Sequence, residues 1–318
     1  MVLRPLVPCI LLALPVAAQA PPQPPPLEAQ LDRLFEDWNR EDRPGGAAVV
    51  VKDGQVIYLK AFGLACLEHP KANTPKTAFD VGSLAQPFTG AAVALLVHQG
   101  KLTLDDPIQR HVPSLPPVCA GITVRHLLEH RSGLADFGPA LRLTGWSEQD
   151  SLGLPQVLRM LAAQAQPLFP PGSRVQVSGL NYALLAEVVR AVSGQPFRDF
   201  AWEQLFKPLK MTRTLVRDQP REVVDGRAFY YNFHSREGYL RGADGLGVVG
   251  SHSLFTSAED LGKWLVALDA GTLPCARVLL TPAAEATTWY GLKAGRDQGL
   301  LLLRLQGSWA GLRGAIQL

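Results

Sequence analysis

Strand-forming sequence lies at the two ends of this chain and helix-forming sequence lies between them, and that separation limits the fold more than any other feature. Near the start, Ala47 to Val51 and Val56 to Phe62 flank Lys52-Asp53-Gly54-Gln55. Two β-rich runs about an Asp-Gly pair read as a tight hairpin. Near the end, Leu300 to Leu305 is an apolar run broken by one arginine, and Gly314 to Leu318 begins another strand. Between these ends the pattern is helical. Phe88 to His98 is apolar and closes at Gly100, and Val124 to His130 is a short helix before Ser132-Gly133. Pro155 to Gln164 starts on proline, and Asn181 to Val192 carries Leu184, Leu185, Val188 and Val189 on one face before Gly194. Thr256-Ser257-Ala258-Glu259 has the capping-box pattern ahead of Leu261, Trp264, Leu265 and Leu268. The order predicts an α+β fold: an antiparallel sheet built from both chain ends, flanked by helices, with a helical lobe inserted.

Ahead of the hairpin, Leu27, Leu31, Leu34, Phe35 and Trp38 recur at helical spacing, which predicts an amphipathic helix ending near Pro44-Gly45-Gly46. The first twenty residues read as a targeting signal. Arg4 is the positive end, Leu6 to Val16 is a short apolar run, and Ala18-Gln19-Ala20 is a cleavage site. Cleavage after Ala20 implies a secreted or periplasmic protein, and residues 21–26 form a proline-rich linker. Residues 27–318 then read as one domain, with an α/β part from 27–82 and about 240–318 and a helical lobe over about 83–239. No later run reaches membrane-spanning length, so no integral segment is expected in the mature chain. The 31 basic and 28 acidic residues leave a net charge of +3, which gives no reason to expect a nucleic-acid partner. Three cysteines outlast the leader, Cys66, Cys119 and Cys275, and one disulfide or three free thiols fit equally.

The stretch Asp80-Val81-Gly82-Ser83-Leu84-Ala85-Gln86 is the most informative for chemistry. Gly82 breaks the chain and Ser83 opens an apolar helix, where the helix's positive end favours an anionic intermediate. A nucleophilic serine needs a base, and a residue three positions on shares its helix face. That residue is Gln86, whose amide orients by hydrogen bonding but takes up no proton near neutral pH. On these residues alone Ser83 reads as a helix cap more readily than as a nucleophile.

The wider pattern resembles the class C β-lactamase and beta-lactamase-related serine hydrolase family. The resemblance rests on Phe79 to Ser83, Gly100-Lys101-Leu102-Thr103-Leu104-Asp105-Asp106-Pro107, Ile122 to Leu134, Asn181-Tyr182-Ala183-Leu184-Leu185 with Val192-Ser193-Gly194, Thr256 to Trp264, and Gly307 to Arg313. It implies that Ser83 is the nucleophile and that the backbone N–H groups of Ser83 and Ser308 form an oxyanion hole. It also places the family's lysine on Gln86, its Tyr-x-Asn on Val177-Ser178-Gly179, and its Lys- or His-x-Gly on Leu305-Gln306-Gly307. The proton-handling groups are therefore substituted, with Ser178 a poor replacement. The family also continues beyond this end with a further strand and a helix. The resemblance implies a catalytically impaired protein that binds a small molecule, a peptide or a β-lactam in the cleft, with no cofactor. An active hydrolase using Ser83 with another base is the alternative.

A metal reading competes. His126-Leu127-Leu128-Glu129-His130 matches the H-x-x-E-H zinc pattern, with Glu203 as an imaginable third ligand. The short helix argues against it, and no metal is expected. His252, in Gly250-Ser251-His252-Ser253, reads as a solvent-exposed loop histidine that could reach the cleft.

Overall fold

Asp53 and Gly54 both take positive φ, 51° and 70°, the backbone a two-residue hairpin turn requires. They join β1 (Gly46–Lys52) to β2 (Gln55–Phe62) in an antiparallel pair. The computed structural model describes residues 26–318 except 144, 148–149, 244, 282–286, 298–299 and 310–311. The expected leader and all but the last residue of the proline-rich linker lie outside the described residues.

Residues up to 36 and residues 37–318 form two separate contact units. In the first, α1 (Leu27–Leu34) has no buried residue. It ends earlier than its apolar spacing predicts. Phe35 leaves helical geometry at φ −107°, and its N–H turns to the Asp32 carbonyl at 3.1 Å.

In the second unit the central helix is α2 (Gln86–His98), buried at every position from Gln86 to Leu96. A helix apolar all round must sit inside the protein. It terminates as expected at Gly100, with φ 68°. α3 (Val124–Leu128) opens on a reciprocal cap between Thr123 and His126. α4 (Gly179–Ser193) ends on left-handed Gly194 and starts two residues before the pattern predicts. The extra turn has an imported acceptor, since Asp136 Oδ1 takes the Gly179 N–H at 2.8 Å. β3 (Leu254–Thr256) pairs with the two-residue strands Phe79–Asp80 and Leu215–Val216. It leads into α5 (Ala258–Asp269), capped by Ser257 rather than Thr256 because Thr256 still belongs to the strand.

The chain closes with β4 (Thr288–Trp289), β5 (Leu292–Asp297), β6 (Leu300–Trp309) and β7 (Leu312–Gln317) in one antiparallel sheet, in that order. The expected α+β architecture of antiparallel strands and helices is present, and among the described residues the strands of the two chain ends form two ladders. Among the described residues β1 pairs only with β2, and β7 only with β6. A cavity of about 520 Å³ lies where both meet, lined by Gly46 and Ala47 of β1 and by Arg313, Gly314 and Ala315 of β7. That gap leaves the two edges without a ladder between them. No helix among the described residues is long and apolar enough to cross a membrane. Cys66, Cys119 and Cys275 are free, and burial pushes the thiols of Cys119 and Cys275 up to about 11.

Leu184 of α4 is fully buried, whereas Val223 is 90% exposed. Leu184→Ala should lower unfolding free energy by ~2–5 kcal/mol in urea titrations, and Val223→Ala should change it by no more than about 0.5 kcal/mol.

Candidate active site

Ser83 lies in a one-turn 3₁₀ segment, Gly82–Ala85, that runs directly into α2. Gly82 carries φ 54°, a conformation that costs a side-chain-bearing residue about 1 kcal/mol or more. The turn is tied from both sides. Asp80 Oδ1 accepts the Gly82 N–H at 3.0 Å, and the Val81 N–H donates to the Leu254 carbonyl of β3 at 2.9 Å. β6 and β7 pack against the same turn, and a Cβ at Gly314 would fall 2.8 Å from Leu84 Cδ1.

The group facing Ser83 is His252. Its Nε2 lies 3.3 Å from Ser83 Oγ. This overturns the reading of His252 as a solvent-exposed loop residue, because it is only 9% exposed. The physical reason is the turn that carries it. The His252 N–H donates to the Val248 carbonyl at 3.0 Å, and Gly250 takes φ 89° against α4. A Cβ at Gly250 would sit 2.4 Å from the Tyr182 carbonyl oxygen and 2.6 Å from Ala186 Cβ. Only glycine lets the turn press that close. Thr89 of α2 then donates its hydroxyl to the Gly250 carbonyl at 2.8 Å. Burial holds the His252 imidazole down to about 4, so it is neutral at pH 7. A neutral imidazole can accept a proton.

Space for the ring comes from Gly179. A Cβ there would meet Phe137 at 3.0 Å and His252 Cε1 at 3.5 Å. Phe137 in turn presents its ring to His252 edge-on, with centroids 6.1 Å apart.

The other positions singled out in the sequence separate. Gln86 is buried beside the turn, its backbone N–H on the Ser83 carbonyl. Val177 is 54% exposed. The Ser178 hydroxyl donates to Asp136 Oδ1 at 3.1 Å. Leu305 is buried in β6, and Ser308 pairs with Arg313 of β7. The H-x-x-E-H set does not converge. α3 ends at Leu128, and His130 has φ 55°, so the two histidines do not share a helix face. His126 Nδ1 accepts the Thr123 N–H at 3.3 Å, while His130 Nδ1 accepts from Ser178 N–H at 3.3 Å and from Asn181 at 3.1 Å. Glu129 pairs with Arg131 at 3.5 Å and Glu203 with Lys207 at 2.8 Å. The zinc reading therefore fails on geometry. Among the described residues no group of three or more His, Cys, Asp or Glu is placed to hold a metal.

Sequence reasoning undervalued His252 and missed Thr89, Phe137 and Asp136. The one available signal was a histidine among small residues just ahead of a capped helix. Nothing local in the sequence announces the 169-residue span between Ser83 and His252.

A family model described as Beta-lactamase matches residues 31–315. The chain belongs to the beta-lactamase family. Penicillin-binding protein 4* of Bacillus subtilis is 29% identical over 210 residues, covering 64% of this chain and 46% of that one. The octameric penicillin-binding protein homologue of Pyrococcus abyssi superposes with a TM-score of 0.75 at 25% identity, covering 86% of this chain and 66% of that one. A penicillin binding protein of Bacillus halodurans gives 0.77 at 23% identity, covering 90% and 89%, a likeness of fold alone. The chain spans about half the length of the curated relatives it matches. Within this beta-lactamase-family scaffold, a histidine stands beside the serine while an amide occupies position 86.

Two measurements check the site. His130 and His252 are both held down to about 4 by burial, against an ordinary value of 6.5. Below 6.5 the unfolded chain binds protons that the folded chain refuses until about 4. Stability should therefore fall as pH drops across that window, by up to ~1.4 kcal/mol per pH unit for each histidine. Melting temperatures at pH 7, 5.5 and 4.5 should decline, and His252→Gln should flatten the slope. Gly179→Asn should push Phe137 and His252 apart from Ser83, at a cost of ~1–3 kcal/mol in stability, read by denaturation and by changed shifts of the His252 ring in NMR spectra.

Proposed function

We propose that this beta-lactamase-family chain is a serine hydrolase that uses Ser83 as nucleophile and His252, in place of a lysine at position 86, as the group that takes its proton. The observation that carries the reading is the 3.3 Å approach of Nε2 to Oγ. Hydroxyl–imidazole pairs of this kind often tighten only with substrate bound. Ser83 Oγ bonds to the carbonyl carbon of an ester or amide while its proton moves to Nε2, and the carbonyl π pair moves to oxygen. The imidazolium then hands the proton to the departing alcohol or amine as the carbonyl carbon–heteroatom bond breaks. Water reverses the sequence to free the enzyme. The backbone N–H groups of Ser83 and Ser308 are the proposed donors to the oxyanion; the packing of β6 on the Ser83 turn supports this.

The direction of the shift bears on the substrate class. Burial makes the His252 imidazole a weaker base than a free one. A neighbouring oxyanion offsets part of that loss. Carbonyls with good leaving groups or ring strain suit such a base better than an unstrained peptide. β-Lactams and activated esters belong to that class, and one relative is named for penicillin binding. A second reading, in which the cleft binds a peptide or β-lactam with little turnover, is favoured by Gln86, the exposed Val177 and the bare Gly179. The leader ending at Ala18-Gln19-Ala20 supports a secreted or periplasmic location.

Labelling with a fluorophosphonate and with a fluorescent penicillin tests the proposal. The wild-type chain should be labelled covalently, Ser83→Ala should not, and His252→Gln should label ~10²–10⁴-fold more slowly. Failure of the folded wild-type protein to label with either reagent would leave the binding reading in its place.

A further inference from the structure

We propose that Ser251 is a positioning residue that fixes which nitrogen of His252 carries the proton. The inference rests on His252 being the base for Ser83 and adds what keeps that base ready. Ser251 Oγ lies 2.9 Å from His252 Nδ1 and 3.3 Å from the Val248 carbonyl oxygen. A carbonyl only accepts, so at that end the Ser251 O–H must donate. Its oxygen then presents a lone pair to Nδ1, and Nδ1 carries the hydrogen. In a neutral imidazole the other nitrogen is then bare. Nε2 accordingly faces Ser83 Oγ with a lone pair, the form that accepts a proton. The opposite tautomer would point Nε2–H at the serine and block the reaction.

The surroundings keep this polarity fixed. Ser251 and Ser253 are fully buried, so no solvent competes for the Ser251 hydroxyl. The Val248 carbonyl also accepts the His252 N–H at 3.0 Å, so one oxygen anchors both the backbone of the base and the hydroxyl that orients its ring. Ser253, at φ 65°, binds the Leu246 carbonyl through its own hydroxyl at 3.0 Å and closes the far side of the turn. The chain of donors runs in one direction: Ser83 to His252, His252 to Ser251, and Ser251 to a carbonyl that cannot reverse it.

The test joins spectroscopy to labelling kinetics. Long-range ¹H–¹⁵N spectra of the ¹⁵N-labelled protein at pH 7, with His252 assigned by its loss in His252→Gln, should show the Nδ1–H tautomer. Ser251→Ala should mix the two tautomers and slow fluorophosphonate labelling roughly tenfold, the weight of one neutral hydrogen bond. Ser251→Thr, which keeps the hydroxyl, should restore both. A wild-type spectrum with the hydrogen on Nε2 overturns the assignment whether or not any variant folds. Labelling abolished in His252→Gln but unchanged in Ser251→Ala, with the tautomer also unchanged, overturns the role of Ser251 alone. Labelling unchanged in His252→Gln overturns the underlying choice of base, and this inference with it.

Discussion

The hydroxyl of Thr89 on the carbonyl of Gly250 is the bond on which the candidate site depends. Thr89 stands on the helix that follows Ser83, and Gly250 on the turn that carries His252, so a single 2.8 Å contact fixes one half of the pair against the other. Both groups are buried, and in such surroundings an unmade hydrogen bond is costly, so the bond holds with little play. Helix α4 supplies the opposing wall. Its Tyr182 carbonyl and Ala186 side chain leave Gly250 no room for a Cβ. Ser83 and His252, far apart in the chain, are thus held by packing that belongs to the helical core and not to the cleft itself.

The sequence made the scaffold legible because scaffold signals are local. Asp53-Gly54 marks a hairpin wherever it occurs between strands, and an apolar run such as Phe88 to His98 must be buried. Helix ends were less certain where the capping group came from elsewhere in the chain, as Asp136 does for α4. Ser83, Gln86, Val177 and Gly179 could be set against a family pattern position by position. His252 could not. Its value rests on a tertiary approach, and its neighbours Gly250, Ser251 and Ser253 resemble any polar loop. The same limit explains the zinc pattern. His126 and His130 have chelating spacing only on a continuous helix, and the positive φ at His130 ends that continuity.

Burial gives this site its character and sets its limits. It removes water from around the imidazole, which sharpens every contact the ring makes, and it lowers the ring's appetite for a proton. The neutral imidazole of His252 and the hydroxyl of Ser83 thus face each other with little water between them.

Gly179 has a consequence for how the site can be altered. A Cβ there would stand 3.0 Å from the Phe137 ring and 3.5 Å from His252. The ring at 137 must therefore give way before any side chain enters at 179, and that ring is the one set edge-on against the histidine. Positions 179 and 137 are coupled by volume: a smaller residue at 137 opens the room that 179 lacks, and a change at either one reaches the imidazole through the same phenyl group.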